Sequence, residues 1–414
     1  MSHPSRRLLV VGQTFPWPEV TGGRMRLANV IQALSRLGEV DLFAFVDGGR
    51  TDRAEVPDGA RVHRVEIVAR RHLPFQPLRR VQWMIAGRAP RPLAVLDVRE
   101  AQQRFAAWLD GPYDLVWFHH VETHAVLGSQ IDAPSVVDFD DLEDQKLHAR
   151  LAGGHEMGRP ERDIRLWFRW AGRLQDERDR RLWQELQRSV AARVRSVVVC
   201  SDEDRRRLGA ANCAVIPNGY PAPAQPLGRV SVGQPAVILF AGLLTYPPNR
   251  DAAALLVQRI APLIRAQMPA AQVRLVGQAP ESLRRLADPP RVVVTGFVPD
   301  ITAELARADL VAAPLRSGGG TRIKILEAFA HRIPVVSTTS GAAGLDVVSG
   351  REILIADTPE AFARACVTLL MDRGQRLRLA EAAQQLFLRR YRWDHIHDAI
   401  AALAEQVARA AVPA

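Results

Sequence analysis

Cysteine is scarce in this chain of 414 residues: there are three, Cys200, Cys213 and Cys366. They are odd in number, scattered, and lack the spacing of metal ligands. That argues against a disulfide framework or a zinc knuckle, and they read as reduced core thiols of a cytoplasmic protein. Long apolar runs are also missing. No stretch approaches the roughly 18 to 20 residues that span a bilayer, and no basic-then-apolar leader opens the chain. Acidic residues are outnumbered, 45 Asp and Glu against 55 Lys and Arg, which gives a net charge of +10, mostly from Arg. Such an excess suits an anionic partner: a nucleotide, an anionic lipid surface or nucleic acid. It equally fits the habit of an Arg-rich proteome. The Arg-rich region 159–195 carries no nucleic-acid motif, and Asp176, Glu177, Asp179 and Glu185 are interspersed in it. It therefore reads as a solvated helical face, and nucleic acid is set aside.

What is present fits two globular domains: a length of 414, 47% hydrophobic residues and 24% charged. The richest stretch runs from Ala313 to Ser340. Asp309 to Pro314 reads as a buried strand. Gly318, Gly319 and Gly320 then allow a sharp turn that exposes backbone N–H groups. From Thr321 a helical pattern begins, through Ile323, Leu326, Glu327, Phe329 and Ala330. Pro334 ends it and Val335–Val336 opens the next strand. A Gly-rich turn feeding a helix N-terminus favours an anion through its free amides and the helix dipole, and Arg322 and Lys324 add full charges. The plain alternative is an ordinary strand–turn–helix crossover with two solvated cations.

The rest alternates strand and helix. Arg7–Val11 is a strand, followed by Gly12 and the loop Thr21-Gly22-Gly23-Arg24. Met25–Leu37 is a helix and Val40–Phe45 a strand. Another strand is expected at 61–69, and an irregular basic surface at 70–94. Asp114–Phe118 delivers His119 and His120 to a strand end, a good place for chemistry in a doubly wound sheet. Ser135–Asp141 is a strand with an acidic end. Its Asp138-x-Asp140 resembles a metal-holding pair, a reading rejected here. In 159–195, Ile164, Trp167, Phe168, Trp170, Leu174, Leu182, Trp183 and Leu186 recur at helical spacing and read as core. Ser196–Ser201 is a strand, and Ser201 caps the helix after it. Pro and Gly concentrate in 221–235, a linker. The predicted layout is thus a first domain at 1–220, a second at 236–392, and a final helix at 393–414 crossing back. In the second domain Gly242–Asn249 is a loop, 251–267 a helix, Val292–Asp300 a strand and turn, and Thr339–Leu345 a loop.

The stretch G-G-G-T-R-I-K-I-L-E-A-F-A-x-x-x-P-V-V-S-T resembles the nucleotide-sugar motif of family-4 retaining glycosyltransferases, in the subgroup with G-G-G-T-R-x-K-x-L-E-A. V-x-C-S-x-x-D, V-I-P-N-G, G-x-x-x-Y-x-P-N and Tyr391-Arg392-Trp393 are similar to other signatures of that family. The resemblance implies an α/β fold of GT-B type, two Rossmann-like domains facing a central cleft. It implies transfer of a sugar, a hexosyl group, from a UDP- or GDP-type donor to an acceptor hydroxyl, with retention of configuration. By motif position, Glu327 binds the donor ribose. Gly318, Gly319, Gly320, Thr321, Ile323, Gly242, Phe297, Val298, Gly22 and Gly23 line the nucleotide sugar. His120, Lys324 and Arg322 take the catalytic roles. Arg24, His119, Asp140 and Asp141 face the acceptor, which is a sugar, a lipid-linked molecule or a small molecule. No metal and no cofactor beyond the nucleotide sugar is implied. The location implied is cytoplasmic, extending to peripheral contact with the inner face of the plasma membrane. Gly319 stands where many members carry a second Glu, and the Arg and Lys that many place in the Gly242 loop are missing, so Arg322 and Lys324 are expected to meet the diphosphate. Two further classes stay open: a nucleotide-sugar epimerase of the same fold, and a partner subunit that binds nucleotide sugar with weak or no catalysis.

Overall fold

A computed structural model describes residues 6–47, 55–74, 77–152, 164–225, 227, 235–318 and 322–410. The chain divides into two units, one of residues 1–218 with 396–414, the other of Gly219–His395.

The first unit is an eight-stranded sheet. Its strands are β1 (Arg6–Gly12), β2 (Gly38–Asp47), β3 (Arg64–His72), β4 (Leu96–Asp97), β5 (Leu115–His119), β6 (Ser135–Asp140), β7 (Ser196–Val199) and β8 (Cys213–Val215). They lie in the order β4-β3-β2-β1-β5-β6-β7-β8. All neighbours pair in parallel except β3 with β4. Leu8 to Val11 are all fully buried, because helices cover both faces of a parallel sheet and both sides of the strand must be apolar. From β1 the chain works outward to β4, then returns to the other side of β1 at β5. The place where the order reverses, between the carboxyl ends of β1 and β5, is where such sheets open a crevice. Gly12 and His119 face each other there in register.

The second unit is a six-stranded sheet built in the same way: β9 (Val237–Ala241), β10 (Gln272–Val276), β11 (Val292–Gly296), β12 (Leu310–Ala313), β13 (Val335–Ser337) and β14 (Leu354–Ile355). The order is β11-β10-β9-β12-β13-β14, all parallel. Ile238 and Phe240 pack into one buried cluster with Leu256, Ile260 and Phe362. Leu239 and Ala241 pack on the other face with Leu326, Phe329 and Phe387. The reversal lies between β9 and β12, at Gly242 on one side and the Pro314–Gly318 turn on the other.

Several local expectations are corrected. Gly22, Gly23 and Arg24 are not a loop. They form the first turn of a helix, Gly22–Leu34, capped by Thr21, whose hydroxyl accepts from Arg24 N. The 70–94 region contains helices Pro77–Ala86 and Arg91–Ala94, and Trp83 is buried with its indole N–H on Ala89 O at 2.9 Å. The helix expected at 251–267 begins at Pro247, which suits the first helical position, and passes through a π turn at Leu256–Ile260. Thr339–Ala342 is a helical turn capped by Thr338. The helix expected from Thr321 starts at Ile323. Gly319, Gly320 and Thr321 lie outside the described residues. A long helix, Ile164–Arg193, occupies the Arg-rich region and buries Leu182 and Trp183, but Leu174 is 42% exposed. The side chains of Ile164, Trp167, Phe168 and Trp170 lie outside what is described. Tyr220 belongs to the second unit, where its N–H donates to Tyr391 O at 2.9 Å. Among the described residues, no helix is long and apolar enough to cross a membrane.

Phe329 is fully buried on the helix that carries the central motif. Phe329→Ala is expected to cost about 3 to 5 kcal/mol, because the cavity adds to the lost transfer energy. Urea unfolding followed by circular dichroism checks it, and an unchanged midpoint would contradict this packing.

Candidate functional site

Each reversal point gathers a cluster. In the second unit the strand β9 ends at Ala241 and the chain turns at Gly242, with φ 145°. A Cβ built there would lie 3.1 Å from Asn249 Nδ2 and 3.2 Å from Lys324 Nζ, so glycine lets the backbone approach these two groups closely. Lys324, in the first turn of the Ile323–Ala330 helix, donates from Nζ to Asn249 Oδ1 at 2.7 Å and stands 4.2 Å from the Phe240 ring centre. Burial, then the neighbouring Arg322 charge, push its pKa down to about 7, against the pull of Glu327. Lys324 is therefore poised to gain or lose charge near neutrality.

Arg322 precedes the helix and is buried. Its guanidinium donates to Gly318 O at 2.8 Å and Ser340 O at 3.2 Å. It clamps the turn that leaves β12, and Gly318, with φ 124°, makes room for it: a Cβ there would meet the guanidinium at 3.0 Å. Glu327 lies one turn beyond Lys324, on the same helix face. Its Oε1 accepts from the Tyr220 hydroxyl at 2.6 Å. Burial raises the Glu327 pKa, while the Tyr220 bond and the Lys324 charge oppose that rise. Arg316 and Asp251 form a paired contact at 3.0 and 2.6 Å that ties the same turn to the helix after Gly242. Ile323 and Val298 pack partly against the core beneath. Phe297, just past Gly296, is 70% exposed.

The first unit's cluster is built on a buried ion pair. Arg26 is fully buried, with Nε and NH2 on the two oxygens of Asp138 at 2.7 and 2.8 Å. Its remaining nitrogen donates to Ile216 O at 3.2 Å and Asn218 Oδ1 at 3.0 Å. Asn218 in turn donates to Asp140 Oδ1 at 2.7 Å, and the Cys200 thiol lies on the same oxygen at 3.2 Å. Asp140 and His120 both have positive φ, 53° and 69°. In a regular strand, neighbours point to opposite faces. The turn at His120 breaks that alternation, and the rings of His119 and His120 meet edge to face with centres 4.6 Å apart. His120 Nε2 is 4.0 Å from Asp140 Oδ2. A Cβ at Gly23 would lie 4.0 Å from both Asp140 Oδ2 and His119 Cε1, so the start of the Gly22–Leu34 helix rests on this group.

Burial holds both imidazoles below the usual histidine pKa, so both are neutral at pH 7. Burial, the largest single effect, would raise Asp140, but the Arg26 charge, the two neighbouring imidazoles and the Asn218 hydrogen bond together outweigh it, and Asp140 stays well below the ordinary carboxylate range. Asp141 is turned aside into a contact with Lys146 Nζ at 3.2 Å, and Lys146 also meets Glu143 at 2.7 Å. Arg24 is half-buried, with its backbone N–H on the Thr21 cap. Asp138 is committed to Arg26, so the Asp138-x-Asp140 pair does not present two carboxylates to a metal. Among the described residues, the ligand atoms of His119, His120 and Asp140 converge to within 4.8 Å of one another. Asp140 there already has the Arg26 guanidinium 3.9 Å away as its counter-charge.

Comparison with known proteins places these clusters in context. Residues 21–219 match the family described as "Glycosyl transferase 4-like domain", and residues 235–372 the one described as "Glycosyl transferases group 1". The two matches together run over most of the chain. One curated relative is a GDP-mannose-dependent alpha-(1-6)-phosphatidylinositol monomannoside mannosyltransferase of Mycobacterium tuberculosis, 32% identical over 149 residues, which are 32% of this chain and 39% of that protein. The protein of that name from Mycolicibacterium smegmatis is 28% identical over 181 residues, 40% of this chain and 46% of that one. The chain thus spans less than half the length of these relatives. Among solved structures, sucrose-phosphate synthase of Thermosynechococcus elongatus superposes with a TM-score of 0.71 at 16% identity, covering 98% of this chain and 100% of that one. Anabaena HepE in complex with UDP and glucose gives 0.64 at 18% identity, covering 97% and 99%. At these identities the likeness shows the fold, which is GT-B.

Sequence reasoning assigned no role to Arg26, Asn218, Tyr220 or Asn249. Arg26 had a signal: it lies four residues before Val30 and seven before Ala33, on the buried face of its helix. Arg26→Leu leaves Asp138 buried without its partner and is expected to cost about 3 to 5 kcal/mol. Adding Asp138→Leu should recover most of that loss in urea unfolding. A double variant no more stable than Arg26→Leu would contradict the pairing.

Proposed function

We infer that this chain, a member of the group 1 glycosyltransferases by both of its matched domains, moves a sugar from a nucleotide-sugar donor to an acceptor hydroxyl with retention of configuration. The observation that carries the reading is the second unit's reversal point. There a cation, Lys324, and a carboxylate, Glu327, share one helix face beside the backbone turn at Gly242. A nucleoside diphosphate needs that pair of groups: positive charge for the diphosphate and an acceptor for the ribose hydroxyls. Negative charge grows on the diphosphate as the sugar departs, so Lys324 and the helix N-terminus stabilise the transition state more than the ground state. Arg322 contributes by holding the Gly318 turn in place as well as by its charge. Phe297 and Val298 border the nucleobase. His120, a neutral imidazole with His119 and Asp140 beside it, is the first unit's candidate catalytic group. Attack from the face the diphosphate leaves accounts for retention without a covalent intermediate. The diphosphate's charge is met by side chains and amides, so no metal is assigned.

The mycobacterial relatives are named for GDP-mannose and for a phosphatidylinositol mannoside, and HepE was captured with UDP. Those names favour a GDP- or UDP-type donor and a lipid-linked or sugar acceptor.

A panel of UDP- and GDP-sugars, scored by thermal shift and then by product formation, tests the reading, since a ligand that binds only the folded chain raises its melting point. One donor is expected to shift the melting point and to give an α-linked product from an α-linked donor by NMR. Glu327→Ala should weaken that donor's binding about tenfold or more, because hydrogen bonds to a charged group contribute about 1.5 to 3 kcal/mol. It should also erase the preference for ribose over deoxyribose. Retained ribose preference in the variant would remove Glu327 from this role.

A further inference from the structure

The chain contains only two lysines, Lys146 and Lys324. Its other long cationic side chains are arginines, whose guanidinium keeps its proton throughout the physiological range, whereas a buried lysine gives its proton up readily. Lys146 is locked in its charged form by two carboxylates, Asp141 and Glu143. Lys324 has a different setting. Beneath it is the Phe240 ring at 4.2 Å. From the residue before its helix it faces one like charge, Arg322, and from the helix one opposite charge, Glu327. Glu327 is engaged by Tyr220. Opposite, on the helix after Gly242, its hydrogen-bond partner is a neutral amide, Asn249. Arg316 and Asp251 close on each other.

The amide's orientation is set independently. Asn249 Nδ2 donates to Leu243 O at 2.9 Å, which turns Oδ1 toward Lys324. A neutral oxygen accepts from an amine and, more strongly, from an ammonium, so the bond holds Nζ in place in either charge state. A carboxylate in that position would fix the charge. Lys324 is half-buried, and with no side chain at Gly242 nothing from that position covers Nζ.

We propose that Asn249 positions Lys324 for the donor's diphosphate, and that the diphosphate binds together with one proton taken from solvent onto Lys324 Nζ. The inference rests on the donor-binding reading of the second unit. The sign follows from charge. Lys324 alone titrates at about 7. An adjacent diphosphate favours the ammonium, so uptake is close to one proton above that pH and vanishes below it. The cation is therefore completed by the ligand that needs it.

Isothermal titration calorimetry on the full chain tests this, with UDP-glucose and GDP-mannose as probes because their diphosphates do not titrate in the range used. Each is run in two buffers of different ionisation enthalpy, at pH 8.0 and pH 5.5. The expected result is uptake near one proton at pH 8.0 and near none at pH 5.5. Asn249→Asp, which would charge Lys324 beforehand, should bring uptake at pH 8.0 close to zero. Asn249→Ala should weaken binding about tenfold at pH 8.0 and move the midpoint of uptake to lower pH. Binding without proton uptake at pH 8.0 overturns the coupled proton. Unchanged affinity and midpoint in Asn249→Ala overturn the positioning role. If neither nucleotide sugar binds at either pH, the donor reading itself fails, and this inference with it.

Discussion

Two neighbouring parallel strands whose outgoing chains turn to opposite faces leave a space at their carboxyl ends that the backbone cannot close. This constraint acts once in each unit, between β1 and β5 and between β9 and β12. Every group with chemical interest described above lies at one of these two openings or props up a group that does. The flat, fully buried strands exist to hold the openings still: Leu8 to Val11 and Ile238 to Ala241 have almost no exposed surface.

The two openings are finished in opposite electrostatic styles. In the first unit the charges are permanent and already matched. Arg26 joins Asp138, Ile216 and Asn218, and through Asn218 steadies Asp140. The imidazoles above them are neutral. Such a network resists any added charge. In the second unit the balance is left incomplete. Lys324 has an amide for a partner, and Glu327 has a phenol. Neither partner carries charge at neutral pH, so both functional groups remain available to an incoming molecule that does. On the proposed reading, a nucleoside diphosphate, anionic at one end and rich in hydroxyls in the middle, is matched to that incompleteness.

Much of this was legible in residue order. Apolar runs bounded by Gly and Pro marked the strands, and Leu310–Ala313, Ile323–Ala330 and Val335–Ser337 fold as strand, helix and strand. The misreadings have physical causes. Gly22 and Gly23 look like loop residues by propensity, yet the Thr21 cap and the packing of Leu27 and Val30 carry the helix back through them. The Arg- and Pro-rich residues after His72 looked irregular because their helices draw stability from tertiary contacts such as Trp83 on Ala89 and Arg178 on Trp83 and Gly87.

Residue order by itself determined the alternation of strand and helix, the strand ends on which His119, His120 and Gly242 fall, and the spacing that puts Lys324 and Glu327 on one helix face, because these depend on local geometry and periodicity. Tertiary structure alone decided which of those groups are charged and what holds them. The partners of Lys324, Glu327 and Asp138 are 75, 107 and 112 positions away in the chain. A side chain's protonation follows from the water it loses and the groups it meets. Both are set only when the distant segments pack.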